Sequence, residues 1–328
     1  MNKRLKCLVT GGSGFIGSHL VEALLRSGWE VRCLLRKTSS RQFLPREGIE
    51  YVMGDLDDRV SLARSLEGIT TVFHLAGSIK GRDKEAFFRT NWQGTKHLLE
   101  AAREKSGSID RFIYISSLSA AGPSPDGHLL SEDETAHPVS YYGESKLAAE
   151  QEAAGYARDF PVVVLRPAAV YGPRDAETLR VIKLARWGVR IQPGRHDNIF
   201  SAVYVTDLTR AILLAAERPM TGFRTYFVGD GKVYRWGEIF RILSGILGKG
   251  SLALPLPWSI SAAAVRAVAR LVPRSTAGFY LDKIREMSHN YWVCNIDRAR
   301  NELGFKPEFD LKGGLENTIA WYREQRWL

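Results

Sequence analysis

Tyr142 and Lys146 stand four residues apart in the run YYGESKLAAE, residues 141 to 150. Residues four apart on a helix share a face, whereas residues five apart do not. Lys146 therefore aligns with Tyr142, while the neighbouring Tyr141 aligns only with Ser145. An ammonium beside a phenol favours the phenolate and brings the tyrosine towards the range in which it exchanges protons with a substrate oxygen. The chemistry expected of Tyr142 is general acid/base catalysis. The plainer alternative is an aromatic start to an ordinary alanine-rich helix.

A second cluster lies near the N-terminus. TGGSGFIG (10–17) places glycines at 11, 14 and 17, after the apolar run LKCLVT (5–10) and before the helical pattern SHLVEALLRSG (18–28). Such glycines allow a tight turn, approach of the backbone to a pyrophosphate and close helix packing, with the helix N-terminus facing the phosphate charge. Gly11, Ser13, Gly14, Phe15 and Ile16 are the expected dinucleotide contacts in this turn. The next strand ends in LLRKTSSR, with Arg36 and Lys37 and no carboxylate. A 2′-phosphate would meet a guanidinium there, while a bare ribose would find no acceptor. NADP(H) is the expected cofactor and NAD the alternative; a solvated strand end is the plain reading of Arg36.

Both clusters need a frame. The runs WEVRCLLR (29–36), IEYVMGD (49–55), TTVFHLAG (70–77), RFIYISS (111–117) and PVVVLRP (161–167) are apolar and strand-like. Helical patterns separate them, notably FFRTNWQGTKHLLEAAREK (87–105) and SYYGESKLAAEQEAAGYARD (140–159). Continuous apolar strands alternating with helices predict a parallel sheet covered on both faces, a doubly wound α/β domain over 1–167. After about residue 168 the rhythm loosens. Residues 199–217 read as strand then helix returning to the first domain, and 168–198 and 218–328 as a smaller, mostly helical substrate-binding domain. The stretch LALPLPWSISAAAVRAVARLV (252–272) reads as a helix bracketed by Pro255, Pro257 and Pro273, with Arg266 and Arg270 on one side. A core or lid helix is the first reading, and contact with a membrane surface the second.

The totals exclude other classes. A hydrophobic share of 45% and a charged share of 25% are those of a soluble globular chain. Lys+Arg 46 against Asp+Glu 36 gives +10, but the basic residues are scattered, so no nucleic-acid partner is expected. Cys7, Cys33 and Cys294 form an odd set without CxxC spacing, which fits a reducing cytoplasm. The N-terminal apolar run is too short for a signal peptide, and no run reaches the ~20 apolar residues of a membrane-spanning helix. No His/Cys/carboxylate cluster has metal-ligand spacing.

TGGSGFIG, the Tyr142–Lys146 pair and the serines of YISSLSAAG together resemble the extended short-chain dehydrogenase/reductase family, also described as the epimerase/dehydratase superfamily. GDL (54–56), HLAG (74–77), NWQGT (91–95), LRPAAVYGP (165–173) and VYVTDL (203–208) extend the likeness over essentially the whole chain. The resemblance implies a Rossmann domain, hydride transfer, and a homodimer through helices 87–105 and 140–159. It implies Ser117, Tyr142 and Lys146 as catalytic residues, with Lys146 also on the nicotinamide ribose. Ser116 is the neighbouring candidate for the serine role; alternation along a strand lets only one of the two face the site. By the same likeness Asp55 and Leu56 contact the adenine, Leu75, Ala76 and Gly77 line the cofactor, and Pro167 to Val170 pass beside the nicotinamide. Asn91 would be a structural support, and His74, ending a strand, is expected to pack.

The family acts on nucleotide-sugars or on steroid- and flavonoid-like skeletons. Nucleotide-sugar members commonly carry an asparagine where this chain has Ala169, an arginine near Phe200 and Ser201, and a histidine where Tyr204 stands. With those anchors replaced, the expectation is a small hydrophobic alcohol or ketone, in the manner of the 3β-hydroxysteroid dehydrogenase and dihydroflavonol reductase-like group. A nucleotide-sugar epimerase or dehydratase is the alternative, and a cofactor-sensing protein without turnover the third reading.

Overall fold

A computed structural model describes residues 5–193, 198–250, 252–256, 260, 263, 266–267, 270–271 and 274–328. Six apolar runs form strands: β1 (Lys6–Thr10), β2 (Glu30–Leu35), β3 (Ile49–Met53), β4 (Thr71–His74), β5 (Arg111–Ile115) and β6 (Val162–Pro167). They lie in the order β6-β5-β4-β1-β2-β3, and every pairing is parallel. Side chains alternate across the sheet. Cys7 and Val9 of β1 enter one core with Leu20 and Leu24 of helix Phe15–Arg26 and with Leu208 and Ile212 of helix Val205–Glu217. Leu8, between them, enters the opposite core with Leu62, Leu98, Ala149 and Ala153. Helices on both faces of a parallel sheet define the doubly wound Rossmann architecture.

The strand order reverses between β1 and β4. Their carboxyl ends, at Thr10 and His74, flank the crevice in which such sheets bind ligands. A third core, with Tyr171, Ile182, Tyr204, Phe240, Leu315 and Tyr322, packs helices Ala176–Arg186, Trp236–Leu247 and Leu311–Glu324 together. Asp207 of the VYVTDL motif is fully buried and accepts the backbone N–H groups of Glu308 and Phe309, which ties the C-terminal segment to helix Val205–Glu217.

Three features differ from the pattern expected of the sequence. A seventh strand, Phe223–Val228, pairs in parallel with β6, so the sheet recruits a piece of the 218–328 stretch. Its run FRTYFV is as apolar as the earlier strands, but no helical pattern of the first half leads into it. The helix expected over 252–272 begins instead as a strand, Leu252–Leu256, parallel to Val189–Pro193. Pro255 is tolerated there because a two-stranded ribbon has open edges. Much of the rest of that stretch lies outside the described residues. The pattern over 87–105 resolves into helix Lys84–Phe88, a π-helical turn Arg89–Gln93 and helix Gly94–Arg103. Among the described residues no helix is long and apolar enough to cross a membrane, and no cluster could hold a metal ion.

Candidate active site

Helix Tyr141–Ala154 carries Tyr142, Lys146 and Glu150 at four-residue spacing, on the face turned towards β5 and β6. Lys146 is buried; its Nζ donates to the Ile115 carbonyl oxygen at 2.6 Å and lies 4.2 Å from the centre of the Tyr114 ring. Burial pulls the ammonium down to about 7, against the resistance of the Glu150 charge one turn further on. Glu150 is itself clamped by Arg166 of β6, with Nε 3.0 Å from Oε1 and Nη2 2.6 Å from Oε2.

Tyr142 departs from the expectation built on its lysine neighbour. Burial first, and the Glu286 carboxylate second, push the phenol up to about 12, while a hydrogen bond with Ser117 pulls the other way. Lys146 Nζ is bound to the Ile115 carbonyl and lies over the Tyr114 ring, and burial is the largest influence on Tyr142.

Ser117 caps a short helix, Leu118–Ala121, and accepts the Ser119 N–H at 3.1 Å. Ser116 and Ser117 both border the cavity below, because β5 ends at Ile115 and strict alternation ends with it. Ser117 and Tyr142 border the same cavity, and the serine works to lower the phenol, whereas Ser116 Oγ is buried without a partner among the described residues.

Asn91 sits in the π-helical turn, fully buried. Its amide accepts the Ser78 N–H at 2.7 Å, donates to the Ser78 carbonyl at 3.0 Å and donates to Ser145 Oγ at 2.9 Å. It thereby joins the loop after β4 to the Tyr142 helix. His74 is enclosed, with Thr10 Oγ1 2.6 Å from Nδ1 and Thr95 Oγ1 2.8 Å from Nε2. Burial pulls its imidazole down to about 3, so it stays neutral as a packing residue.

The glycine turn fits a dinucleotide. Gly11 has φ +72°, and a Cβ there would lie 2.6 Å from the Ala76 nitrogen, so Leu75 and Ala76 lie against the turn, while Gly77 faces Asn91 and Lys146. A Cβ at Gly17 would collide with the Gly11 carbonyl oxygen. Helix Phe15–Arg26 begins at Gly14 with no side-chain cap and no acidic residue in its first turn. Its leading N–H groups are thus left for an anionic ligand. Arg36 and Asp55 follow the paired ends of β2 and β3, Leu35 beside Met53, and both are exposed. Neither borders the cavity described below. Leu56 is buried beneath Gly94.

A cavity of about 760 Å³ opens over Ser117 and Tyr142. Phe15, Ile16, Pro167 and Val170 border it on the cofactor side; Ile182, Phe200, Trp236, Leu243, Phe279 and Met287 line it elsewhere, together with charged Arg180, Lys283, Asp282 and Glu286. Ala169 and Ser201 also border it, while Tyr204 is buried against Phe309 with ring centres 4.7 Å apart.

The residues that motif reasoning did not reach are Asp282 and Glu286, on helix Arg274–Met287. Both are buried cavity residues, and both bind the start of the Tyr142 helix. Their only trace in the sequence is an acidic i,i+4 pair within LDKIREM, beside the apolar positions of an amphipathic helix.

A doubly wound sheet with a glycine turn at its switch point and a Ser–Tyr–Lys set at the adjacent strand end defines a dinucleotide-dependent oxidoreductase fold. The chain belongs to the NAD dependent epimerase/dehydratase family, whose model matches residues 7–229, and to the extended short-chain dehydrogenases/reductases within it. It is 32% identical to a ceramide reductase of Caulobacter vibrioides over 98% of this chain and 95% of that one. It is 27% identical to the human decarboxylating sterol-4-alpha-carboxylate 3-dehydrogenase over 99% of this chain and 90% of that one. Among solved structures it is similar to MoeE5 in complex with UDP-glucuronic acid and NAD, at 28% identity and TM-score 0.79, covering 98% of this chain and 99% of that one.

Proposed function

We propose that the chain is an NADP(H)-dependent oxidoreductase that interconverts a hydrophobic alcohol and its ketone, steroid-, flavonoid- or terpenoid-like in character. The nicotinamide supplies or accepts the hydride when bound. Tyr142 donates a proton to the substrate oxygen in reduction and takes it back in oxidation. Ser117 hydrogen-bonds the same oxygen, and Lys146 orients the cofactor ribose. Gly11, Ser13, Gly14, Phe15 and Ile16 hold the pyrophosphate; Asp55 and Leu56 lie at the adenine, and Leu75, Ala76, Gly77, Pro167 and Val170 along the cofactor. Arg36 meets the 2′-phosphate. NAD is the bound cofactor of MoeE5, so NADP(H) rests on Arg36 and on the lack of a carboxylate in LLRKTSSR.

The observation that carries this reading is the cavity wall. Phe200, Trp236, Leu243, Phe279 and Met287 face the Ser117–Tyr142 pair across a space of about 760 Å³. The cavity also takes in the cofactor side at Phe15 and Ile16 and carries Arg180 and Lys283 at its border, so it is this apolar group of side chains, rather than the whole volume, that suits a rigid hydrophobic skeleton carrying one oxygen. The reductase and sterol dehydrogenase names of two relatives agree with it.

A nucleotide-sugar epimerase or dehydratase is the second reading, favoured by the likeness to MoeE5 with its bound UDP-glucuronic acid. Ala169 and Phe200 speak against it, since neither side chain can bind a diphosphate. Thermal shifts and NADPH oxidation over a panel of ketosteroids, flavanones and UDP- and dTDP-sugars separate the two. Turnover of a hydrophobic ketone is expected; a response to nucleotide-sugars alone would overturn the reading.

In this assignment residues 1–167 and 199–217 serve the cofactor, and 168–198 and 218–328 serve the substrate, apart from the strand lent to the sheet. A homodimer through helices 87–105 and 140–159 rests on the family resemblance alone. Light scattering tests it.

A further inference from the structure

The first backbone N–H groups of a helix have no partner within it. In the Tyr142 helix those of Tyr141 and Tyr142 are taken by one carboxylate 140 residues away. Asp282 Oδ1 accepts from the Tyr141 N–H at 2.8 Å, and Oδ2 from the Tyr142 N–H at 2.9 Å. The next N–H, of Gly143, goes to Ser140 Oγ at 3.0 Å, and that hydroxyl donates to Glu286 Oε1 at 3.0 Å. Two buried carboxylates of helix Arg274–Met287 thus build the cap, with negative charge at the positive end of the helix.

The same helix grips the cofactor side. A Cβ at Gly278 would collide with the Gly81 carbonyl oxygen, so the two backbones touch in the loop that follows Gly77. Phe279, Lys283 and Met287 meanwhile border the substrate cavity. One helix therefore contacts the substrate space, the loop after β4 and the backbone of Tyr142 itself.

We propose that Asp282 and Glu286 are positioning residues of the reaction, which set the phenol of Tyr142 beneath the cavity by capping its helix from the substrate side. This rests on the assignment of Tyr142 as the acid/base. Asp282 fixes the amide from which the phenol hangs; Glu286 fixes the cap hydroxyl and adds its charge to the surroundings of the phenol.

The charges around this cap are few. Lys283 Nζ lies 2.6 Å from Glu286 Oε2, and Arg285 lies 3.3 Å from Asp282 Oδ1, with its guanidinium 3.9 Å from the centre of the Tyr141 ring. Lys84, from the helix Lys84–Phe88, pairs with Glu144 at 2.5 Å. On its own helix Tyr142 has Lys146, engaged by the Ile115 carbonyl, and from the strand-end side it has the neutral Ser117 hydroxyl. Burial raises the phenol first and the Glu286 charge second, so neutralising Glu286 is expected to lower it part of the way.

The test is NMR of the full chain with carbon-13-labelled tyrosine rings, the Tyr142 signal being assigned by its loss in Tyr142→Phe. In Glu286→Gln, which keeps the acceptor for Ser140, Tyr142 is expected to titrate lower by about one pH unit. In Asp282→Asn, amide exchange at Tyr141 and Tyr142 is expected to speed up by about tenfold or more, with that of β4 and β5 unchanged. An unshifted Tyr142 titration in Glu286→Gln overturns the proposal, as does unchanged exchange in a folded Asp282→Asn. If Asp282→Asn fails to fold, Glu286→Ala, which removes the acceptor for Ser140, is expected to speed amide exchange at Gly143, and unchanged exchange there overturns the proposal. Neither measurement requires turnover, so a failure here is distinct from a failure of the hydride-transfer reading, which Tyr142→Phe activity tests.

Discussion

The Nζ of Lys146 donates to the main-chain oxygen of Ile115 at 2.6 Å, so the lysine is anchored to the strand end from which Ser117 projects. That bond holds a desolvated ammonium in a fixed place one helical turn from Tyr142. It joins the helix that carries Tyr142 to the strand that leads into Ser117, and it makes the lysine's own titration part of the stability of the fold.

In the folded chain burial lowers Lys146 to about 7, whereas an unfolded lysine titrates near about 10.4. Between these limits the unfolded chain binds the proton and the folded chain does not, so stability rises with pH. Relative to Lys146→Met, the wild type should gain stability from about pH 7 towards about pH 10, and show a constant difference below that window. Urea unfolding across this range checks the sign, and a difference that shrinks with rising pH would contradict it.

Glu150 and Arg166 form a buried pair joining the Tyr142 helix to β6. Removing one partner leaves the other charge buried and unpaired, which costs about 3–5 kcal/mol. Arg166→Met and Glu150→Gln should each lower the unfolding free energy by roughly this amount, and the double variant by less than the sum. Additive losses would mean that the pair does not act as a unit.

Gly17 faces the carbonyl oxygen of Gly11 too closely for any Cβ. Gly17→Ala must push the phosphate turn away from the helix start, with an expected loss of NADPH affinity of about 100-fold, or about 3 kcal/mol. Calorimetric titration measures it, with circular dichroism to verify folding. Affinity unchanged in the variant would place the dinucleotide elsewhere.

Arg36 is exposed at the end of β2, where an acidic residue would select NAD. Arg36→Asp should reduce the preference for NADPH over NADH by about 10- to 100-fold, the worth of one charge-assisted contact. A wild type that already prefers NADH would remove the role assigned to this arginine.

Much of the site was legible because its parts are local. The spacing of Tyr142 and Lys146, the glycines at 11, 14 and 17, and the apolar runs of β1 to β6 each carry their meaning within a dozen residues. What was not legible is what distant segments bring. Strand Phe223–Val228 has no local mark of the sheet it joins, and Leu252–Leu256 is apolar enough to pass for the start of a helix. The direction in which Tyr142 moves depends on burial and on Glu286, 144 positions further on, and no spacing rule in the Tyr142 helix contains either. Asp282 was hidden for the same reason: a carboxylate caps a helix by arriving at it, and arrival is a property of the fold.

The proposed reaction requires Tyr142 to move the proton that accompanies hydride transfer. NADPH oxidation by wild type and Tyr142→Phe, measured with a hydrophobic ketone that the wild type turns over, tests this directly. The phenylalanine variant is expected to bind NADPH normally and to lose about 100- to 10,000-fold in kcat. Turnover by Tyr142→Phe within roughly threefold of wild type would contradict the account, since a general acid/base is worth far more than that.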